Sequence, residues 1–313
     1  MIFLYIILIA FLCIVLIKSA DFTINNLNKI ALALNWSKFI ISFFLVAIAT
    51  SLPEIFIGIT SAVYRVPALS LGNIVGANII NLTLILGLVT IVGRGVPVKK
   101  NDFKRFILMT GLMLLPFIFV LNGHVSRLEG VIALSGFVLY IIAISCKKNY
   151  LNQDNIVSSK TKDIYKEFIY CLLGVGLLVI SANLITKIAQ ILALNFGLSL
   201  ILTGVLIVSL GTTLPELIFG IRATMRGHKE MALGCSLGTI IANAYLGLGL
   251  AAIIYPISVI DIKRLMWTLA FLMAAVVILI IFSASSQKIS RKEGAALVLF
   301  YLGFLMVQIF IIN

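Results

Sequence analysis

Long apolar runs, separated by short charged or turn-rich breaks, follow one another along almost the whole chain. Most of these runs are close to the roughly 20 residues that an α-helix needs to cross a bilayer core about 30 Å thick. The only long polar break lies between residues 146 and 166. The pattern predicts an all-α polytopic membrane protein with ten spans, at approximately 2–17, 37–63, 67–92, 103–121, 128–146, 167–193, 198–225, 229–255, 265–283 and 294–312.

Composition supports a membrane protein and excludes a large soluble domain. The 313 residues are 62% hydrophobic and only 11% charged, which is too few polar side chains to cover a water-soluble globule of this size. The net charge of +13 does not predict a nucleic-acid partner, because the basic residues lie between apolar runs and form no cluster on one solvated face. The expected surroundings are the lipid bilayer.

The basic residues also orient the predicted spans. With the N-terminus outside, all but five of the 24 lysines and arginines fall on the inner side, as the positive-inside rule requires. The five outer residues are Arg65, Arg127, Lys187, Lys263 and Arg264. This bias predicts that both termini lie outside and that residues 147–166 form a cytoplasmic loop.

Two motifs occur twice at one offset. The segment ATSLPE ending at Glu54 returns as GTTLPE ending at Glu216, 162 residues later, and GNIVGANIIN at 72–81 returns as GCSLGTIIAN at 234–243. Five spans are thereby matched with five, and because five is odd the second half enters the membrane from the opposite side. We predict two inverted repeats at 1–146 and 167–313, with the motifs in segments of about 40–92 and 200–255.

Glu54 and Glu216 are the only two of eleven acidic residues that lie deep inside predicted spans. An unpaired carboxylate at that depth costs several kcal/mol and is rarely retained without a function. No lysine or arginine lies mid-span beside either residue. A bound cation, a proton or neighbouring dipoles must therefore compensate the charge, and a carboxyl that is merely protonated remains the alternative for either residue taken alone.

Oxygen-bearing side chains accompany each glutamate. Thr50 and Thr212 precede Glu54 and Glu216 by four residues, so hydroxyl and carboxylate share one helix face. Paired glycines in the next span of each half, Gly72/Gly76 and Gly234/Gly238, predict close helix packing that brings further donors toward the glutamates. These further candidates are Asn81, Asn243 and Thr239, while Ser51 and Thr213 extend the helix face of Thr50 and Thr212.

An all-oxygen donor set suits hard cations such as Ca²⁺, Na⁺ or Mg²⁺ and contains no cysteine or histidine of the kind that softer metals prefer. The four cysteines, Cys13, Cys146, Cys171 and Cys235, are expected to act as small apolar residues. Two glutamates neutralise one Ca²⁺ and can alternatively hold several Na⁺ or two protons. Such mutually exclusive occupancy is the physical basis of exchange. No protease motif and no cofactor-binding motif is present, so an enzyme is not expected.

The ThrSerLeuProGlu motif followed by a GlyAsn-x-x-Gly segment, repeated in inverted topology, resembles the α-repeats of the cation/calcium exchanger superfamily, particularly its sodium/calcium exchangers. The resemblance covers essentially all ten predicted spans. It implies an antiporter of the prokaryotic cell membrane that exchanges Na⁺ for Ca²⁺ by alternating access and functions as a monomer.

The resemblance also implies roles for individual residues. Glu54 and Glu216 would ligate both ions, with the backbone carbonyls of Thr50 and Thr212 completing the calcium site. The flanking sodium sites would use Ser51 and Thr213, the carbonyls of Ala47 and Ser209, and the Thr239 hydroxyl, while Asn81 and Asn243 would face the centre.

The chain departs from the family pattern at three places. Asn243 stands where many relatives have Asp, Ala77 where they often have Ser, and Cys235-Ser236 where they have Asn and an apolar residue. These changes make the centre of the site less acidic and bear on the ions that it accepts. A proton/calcium exchanger of the same fold remains the main alternative, ahead of a cation channel.

Overall fold

The computed structural model describes residues 2–34, 41–65, 67–97, 111–145, 164–195, 209–259, 262–286 and 288–312. Almost all of these residues are helical, and the described part also contains four strands of two residues each. The α-helices are α1 Ile2–Leu34, α2 Ala47–Thr50, α3 Leu52–Val63, α4 Pro67–Ile80, α5 Leu86–Val92, α6 Leu115–Ile118, α7 Arg127–Ser145, α8 Ile164–Asn195, α9 Ser209–Thr212, α10 Leu214–Met225, α11 Lys229–Ile241, α12 Leu248–Ile254, α13 Ile262–Ser286 and α14 Arg291–Ile312. Three π-helices lie at Ser42–Val46, Asn81–Ile85 and Ala242–Gly247.

Four described helices are long and apolar enough to cross a membrane, and the bent pair Ser42–Thr50 and Leu52–Val63 makes a fifth if it counts as one span. Two of the four, Ser70–Val92 and Lys229–Ile254, are 78% buried inside the protein. The other two, Ile164–Ser181 and Leu265–Ala284, are only 28% and 33% buried. The first two therefore form the centre of the bundle, while the last two present most of their apolar surface outward.

The first helix is longer than the predicted span of 2–17, because α1 continues through Lys18 and Asp21 to Leu34. Its polar residues have partners that make this continuation possible. Ser19 and Thr23 donate hydrogen bonds from their hydroxyls to carbonyls one turn earlier, and Asp21 forms an ion pair with Arg222 of α10. A predicted end at residue 17 is therefore wrong for the helix.

The fourth predicted span, 103–121, is not a continuous helix in its described part. Residues 103–110 lie outside the described residues, residues 111–112 are helical, and turns at 113–114 and 119–122 flank the short helix α6. Parts of the predicted second and seventh spans, at 37–40 and 198–208, and most of the predicted loop, at 147–163, also lie outside the described residues. In the remaining spans the helices agree with the predicted ranges within a few residues.

The two halves meet along α4 and α11. The Asn78 side-chain amide donates to the backbone carbonyl of Ile240 at 3.3 Å. Ile240 stands 162 positions after Asn78, so a position in one half contacts its own counterpart in the other. Such a contact is expected only near an axis that relates two halves. Two antiparallel ribbons, Val96–Pro97 with Lys288–Ile289 and His124–Val125 with Ile257–Ser258, join the halves again at the bundle ends.

Candidate cation site

The chain breaks its helix directly before each motif glutamate. Between Ser42–Thr50 and Leu52–Val63 the axis bends by 45° at Ser51. In the second half α9 ends at Thr212, and α10 begins at Leu214 with Pro215 in its first turn. Proline has no N–H, so it cannot donate a hydrogen bond to the carbonyl four residues earlier, in the preceding helical segment. Each break therefore leaves backbone carbonyls without a helical partner close to the glutamate.

The two glutamates are deeply buried and approach residues of the opposite half. Glu54 is 0% exposed and Glu216 is 1% exposed. The Glu54 carboxyl lies against the Thr212 hydroxyl and the Glu216 carboxyl lies against the Thr50 hydroxyl, close enough for the Glu54 charge to act on Glu216. The predicted threonines are therefore beside the glutamates, but each threonine contacts the glutamate of the other half.

Within the described residues, none of the four carboxylate oxygens has a hydrogen bond of good geometry. Two buried carboxylates without well-formed hydrogen bonds are costly, because the lost hydration is not fully replaced. The described side chains provide no lysine, arginine or histidine beside them. The buried Glu54 and Glu216 carboxylates therefore fit a pair of ligands that bind a positively charged ion between them.

Ser51 and Thr213 lie at the two helix breaks and are 0% and 2% exposed. The Ser51 hydroxyl donates to the Ala47 carbonyl at 2.7 Å, and the Thr213 hydroxyl donates to the Leu210 carbonyl at 3.2 Å. A hydroxyl that donates its proton to the backbone keeps its lone pairs for another ligand. The same Ala47 carbonyl also accepts the Ser51 N–H and the Thr50 hydroxyl, so it is already well occupied.

Asn81 and Asn243 occupy matching places in the two central spans. Each is fully buried and lies in a π-helix, Asn81 at the start of Asn81–Ile85 and Asn243 in Ala242–Gly247. The Asn81 amide nitrogen donates to the Ala77 carbonyl at 3.0 Å, whereas neither amide atom of Asn243 has a partner among the described residues. π-Helical turns are frequent at functional sites. The sequence analysis did not identify them, and nothing in the two motifs distinguishes them from ordinary helix.

Gly238 shows the close packing that the paired glycines predict. A Cβ built there would lie 2.5 Å from the Phe43 carbonyl oxygen and 2.6 Å from the Ala47 Cβ. At Gly72 and Gly76 no described atom lies within 4 Å of such a Cβ. Among the paired glycines, close approach is therefore seen at Gly238 and not at Gly72 or Gly76, within the described residues. The region that corresponds to 42–46 at the same offset, 204–208, lies outside the described residues.

Thr239 and Cys235 are the α11 residues that lie beside the candidate site. Thr239 is fully buried and its hydroxyl has no hydrogen-bond partner among the described residues. The Cys235 thiol lies against the hydroxyls of Thr50 and Thr239 and within electrostatic reach of Glu216. Cys235, which the sequence analysis treats as a small apolar residue, is therefore adjacent to the candidate donors. The available sequence signal was its alignment with Asn73, 162 positions earlier.

Most candidates from the sequence meet around the helix breaks and the adjacent turns of α4 and α11. Ser209 begins α9, but its side chain lies outside the part of the structure that is described. The described residues contain no cluster of three His, Cys, Asp or Glu side chains placed to hold a metal. A cation here must therefore use two carboxylates together with hydroxyl, amide and carbonyl oxygens, a set that suits hard cations such as Ca²⁺ or Na⁺.

Several known proteins are similar to this chain in sequence and in fold. The chain matches the model of the family described as "Sodium/calcium exchanger protein" over residues 4–145 and 166–310. It is 30% identical over 302 residues to "Putative antiporter CaxA" of Alkalimonas amylolytica, covering 93% of this chain and 94% of that protein. It is 28% identical over 348 residues to the sodium/calcium exchanger MaX1 of Methanosarcina acetivorans, covering 95% and 96%.

The fold agrees with a solved structure of the sodium-calcium exchanger NCX_Mj soaked with Na⁺ and Sr²⁺. The TM-score is 0.85 at 25% identity, and the match covers 98% of this chain and 99% of that one. The predicted fold class, an all-α multi-pass membrane protein, is thereby confirmed. The number of ten spans stays a prediction.

Proposed function

Because the chain belongs to the sodium/calcium exchanger family, we propose that it exchanges Na⁺ for Ca²⁺ across the membrane by alternating access around Glu54 and Glu216. The observation that supports this most directly is the pair of buried carboxylates, neither of which has a hydrogen bond of good geometry among the described residues. One Ca²⁺ neutralises both charges. Sodium ions that occupy the same oxygens neutralise them as well, and occupancy by either ion excludes the other.

Calcium binds between the two halves in this proposal. Glu54 and Glu216 are its charged ligands, and the backbone carbonyls of Thr50 and Thr212 complete its shell. The crossed contacts, Thr212 with Glu54 and Thr50 with Glu216, support this assignment because they bring both helix breaks to the same place. A ligand set divided between two halves can open toward either side when the halves shift.

Sodium also uses the oxygens that flank the glutamates. The Ser51 hydroxyl donates its proton to the Ala47 carbonyl, so its lone pairs are available to a cation, and Thr213 has the matching position in the second half. The Thr239 hydroxyl joins them, whereas the Ala47 carbonyl joins only after one of its hydrogen bonds is released. Ser209 has the corresponding role in the second half, and Asn81 and Asn243 face the centre.

The proposal includes the setting of the protein. The bacterial and archaeal relatives and the distribution of basic residues support a prokaryotic cell membrane with both termini outside. The proposed site takes both glutamates from one chain, which supports function as a monomer. Na⁺ and Ca²⁺ are substrates, and no cofactor is required.

Calcium uptake into proteoliposomes tests the proposal. Vesicles loaded with Na⁺ are diluted into Na⁺-free buffer with radioactive Ca²⁺, and are compared with vesicles that carry only a pH gradient. Uptake that requires outward Na⁺ and saturates with Ca²⁺ is the expected result. Uptake driven only by protons would establish the proton/calcium exchanger instead. Flux that needs no counter-ion would indicate a channel, and no flux under any gradient would overturn calcium transport.

A further inference from the structure

Cys235 lies where the second half of the cation site meets the first. It is 1% exposed, on α11, and its thiol contacts the Thr50 and Thr239 hydroxyls. One turn later, Gly238 packs so tightly on Phe43 and Ala47 that an added Cβ would overlap with them. This packing holds the same stretch of α11 against the bent helix that leads to Glu54.

A second observation indicates that the space beside the thiol holds a ligand. Both carboxylate oxygens of Glu216 and the hydroxyl of Thr239 are buried and have no hydrogen-bond partner among the described residues. The thiol lies against that hydroxyl and within the field of that carboxylate. A cation placed among these atoms would compensate the carboxylate charge and use the free lone pairs.

The two halves differ in chemistry at this position. Cys235 stands 162 residues after Asn73, so one half of the chain has an amide and the other a thiol at equivalent places. An amide oxygen is a hard ligand, whereas sulfur is a soft ligand that favours thiophilic metals. The substitution therefore changes which cations the second half can bind.

From this position we infer that Cys235 gives the cation site a soft ligand and that the site binds a thiophilic divalent cation through the Cys235 sulfur and Glu216. Cd²⁺ is the probe, and the Thr50 and Thr239 hydroxyls complete its shell. On binding, the S–H bond breaks, the proton leaves to solvent and the sulfur–cadmium bond forms, with no change of oxidation state. The inference rests on the proposed function, since it concerns the same site.

The direct test observes the sulfur–cadmium bond. A chain that keeps Cys235 alone, through Cys13→Ala, Cys146→Ala and Cys171→Ala, is purified in detergent and titrated with Cd²⁺ while the ultraviolet thiolate-to-cadmium absorption is recorded. The matched control keeps Cys171 alone, a buried cysteine on α8. Absorption is expected only with Cys235, and Ca²⁺ is expected to reduce it. Adding Glu216→Gln should weaken Cd²⁺ binding by about tenfold or more. Equal absorption in both proteins, or none with Cys235, would overturn the inference.

A second test uses Ca²⁺ transport by a chain that keeps its other cysteines, so it does not depend on whether the triple replacement folds. Cd²⁺ should inhibit Ca²⁺ uptake, and Cys235→Ser should raise the half-inhibitory Cd²⁺ concentration by about tenfold or more. Unchanged inhibition would overturn the sulfur ligand while exchange itself persists. Absorption that depends on Cys235 and Glu216, in a protein that moves no Ca²⁺, would instead overturn the proposed function and leave the sulfur ligand in place.

Discussion

Around the helix breaks the two halves of the chain are close to equivalent, whereas along α1 and α8 they are not. Thr50 contacts Glu216 and Thr212 contacts Glu54, so each contact in one half has its counterpart in the other. Near the end of α10, Arg222 pairs with Asp21 of α1 through two hydrogen bonds, and Arg226 pairs with the same carboxylate.

No such ion pair can form at the corresponding positions. The residues 162 positions away from Asp21, Arg222 and Arg226 are Asn183, Thr60 and Tyr64. One end of the bundle therefore has a charged connection between an outer helix and a helix of the site, and the other end lacks it. The comparison indicates that the ion site requires the two halves to match, while the helix ends are free to differ and to favour one arrangement of the halves.

The largest expected effect comes from removing one carboxylate of the matched pair. Glu54→Gln and Glu216→Gln should each reduce Ca²⁺ uptake to the level of empty vesicles, because a single charge cannot neutralise a divalent cation. Both variants should still elute as folded protein, since the carboxylates make no hydrogen bond among the described residues.

The matched control is Glu167→Gln, which removes a carboxylate of α8 that pairs with Lys29 outside the site. It should keep uptake close to that of the unmodified chain. Substantial uptake by either site variant, or equal loss in the control, would contradict the assigned role of the pair.

Close packing in the second half provides the next test. Gly238→Ala should lower the free energy of unfolding by about 1–3 kcal/mol, because the new methyl group overlaps with the Phe43 carbonyl and Ala47. Gly76→Ala is the comparison at the corresponding position, where the segment that matches Phe43 at the same offset lies outside the described part of the chain. Thermal unfolding in detergent measures both. No loss of stability in Gly238→Ala would contradict the close packing described for α11.

The asparagines of the central spans differ in their hydrogen bonding, and exchanging them for aspartate sharpens that difference. Asn243→Asp should tighten Ca²⁺ binding by about tenfold, because it adds a charge where neither amide atom has a described partner. Asn81→Asp should bring less benefit, since it replaces the amide that donates to Ala77. Ca²⁺ titration calorimetry compares them. Weaker binding in Asn243→Asp would indicate that its side chain points away from the ion.

The smallest expected effect concerns the asymmetric ion pair. Asp21→Asn should lower stability by about 1 kcal/mol, since the pair is partly exposed and solvent screens it. It should also change the ratio of Ca²⁺ affinities on the two sides, which inside-out and right-side-out vesicles can measure. Lys29→Gln, which removes an exposed pair between α1 and α8, serves as the control and should leave that ratio unchanged. An unchanged ratio in Asp21→Asn would make the pair purely structural.

Much of the site could be predicted from the sequence because a duplicated motif reports which residues are equivalent. Glu54 and Glu216 were identifiable because a charge in an apolar run has few structural explanations. The length of α1 was not predictable, because a charged residue such as Asp21 after an apolar run usually indicates the end of a membrane span. Its partner Arg222, which makes the continued helix possible, lies 201 residues later in the chain. Cys235 was assigned to the apolar residues because a buried cysteine has no distinctive sequence pattern.

The sequence by itself determined the membrane setting, the internal duplication and the glutamate pair, because hydropathy and spacing are local properties of the chain. Only the tertiary structure decided that each glutamate faces the threonine of the opposite half, that α4 and α11 change to π-helix at the asparagines, and that a thiol lies beside Glu216. These features depend on how two helices approach each other across the bundle. Side-chain packing between distant segments sets that approach, and no local pattern records it.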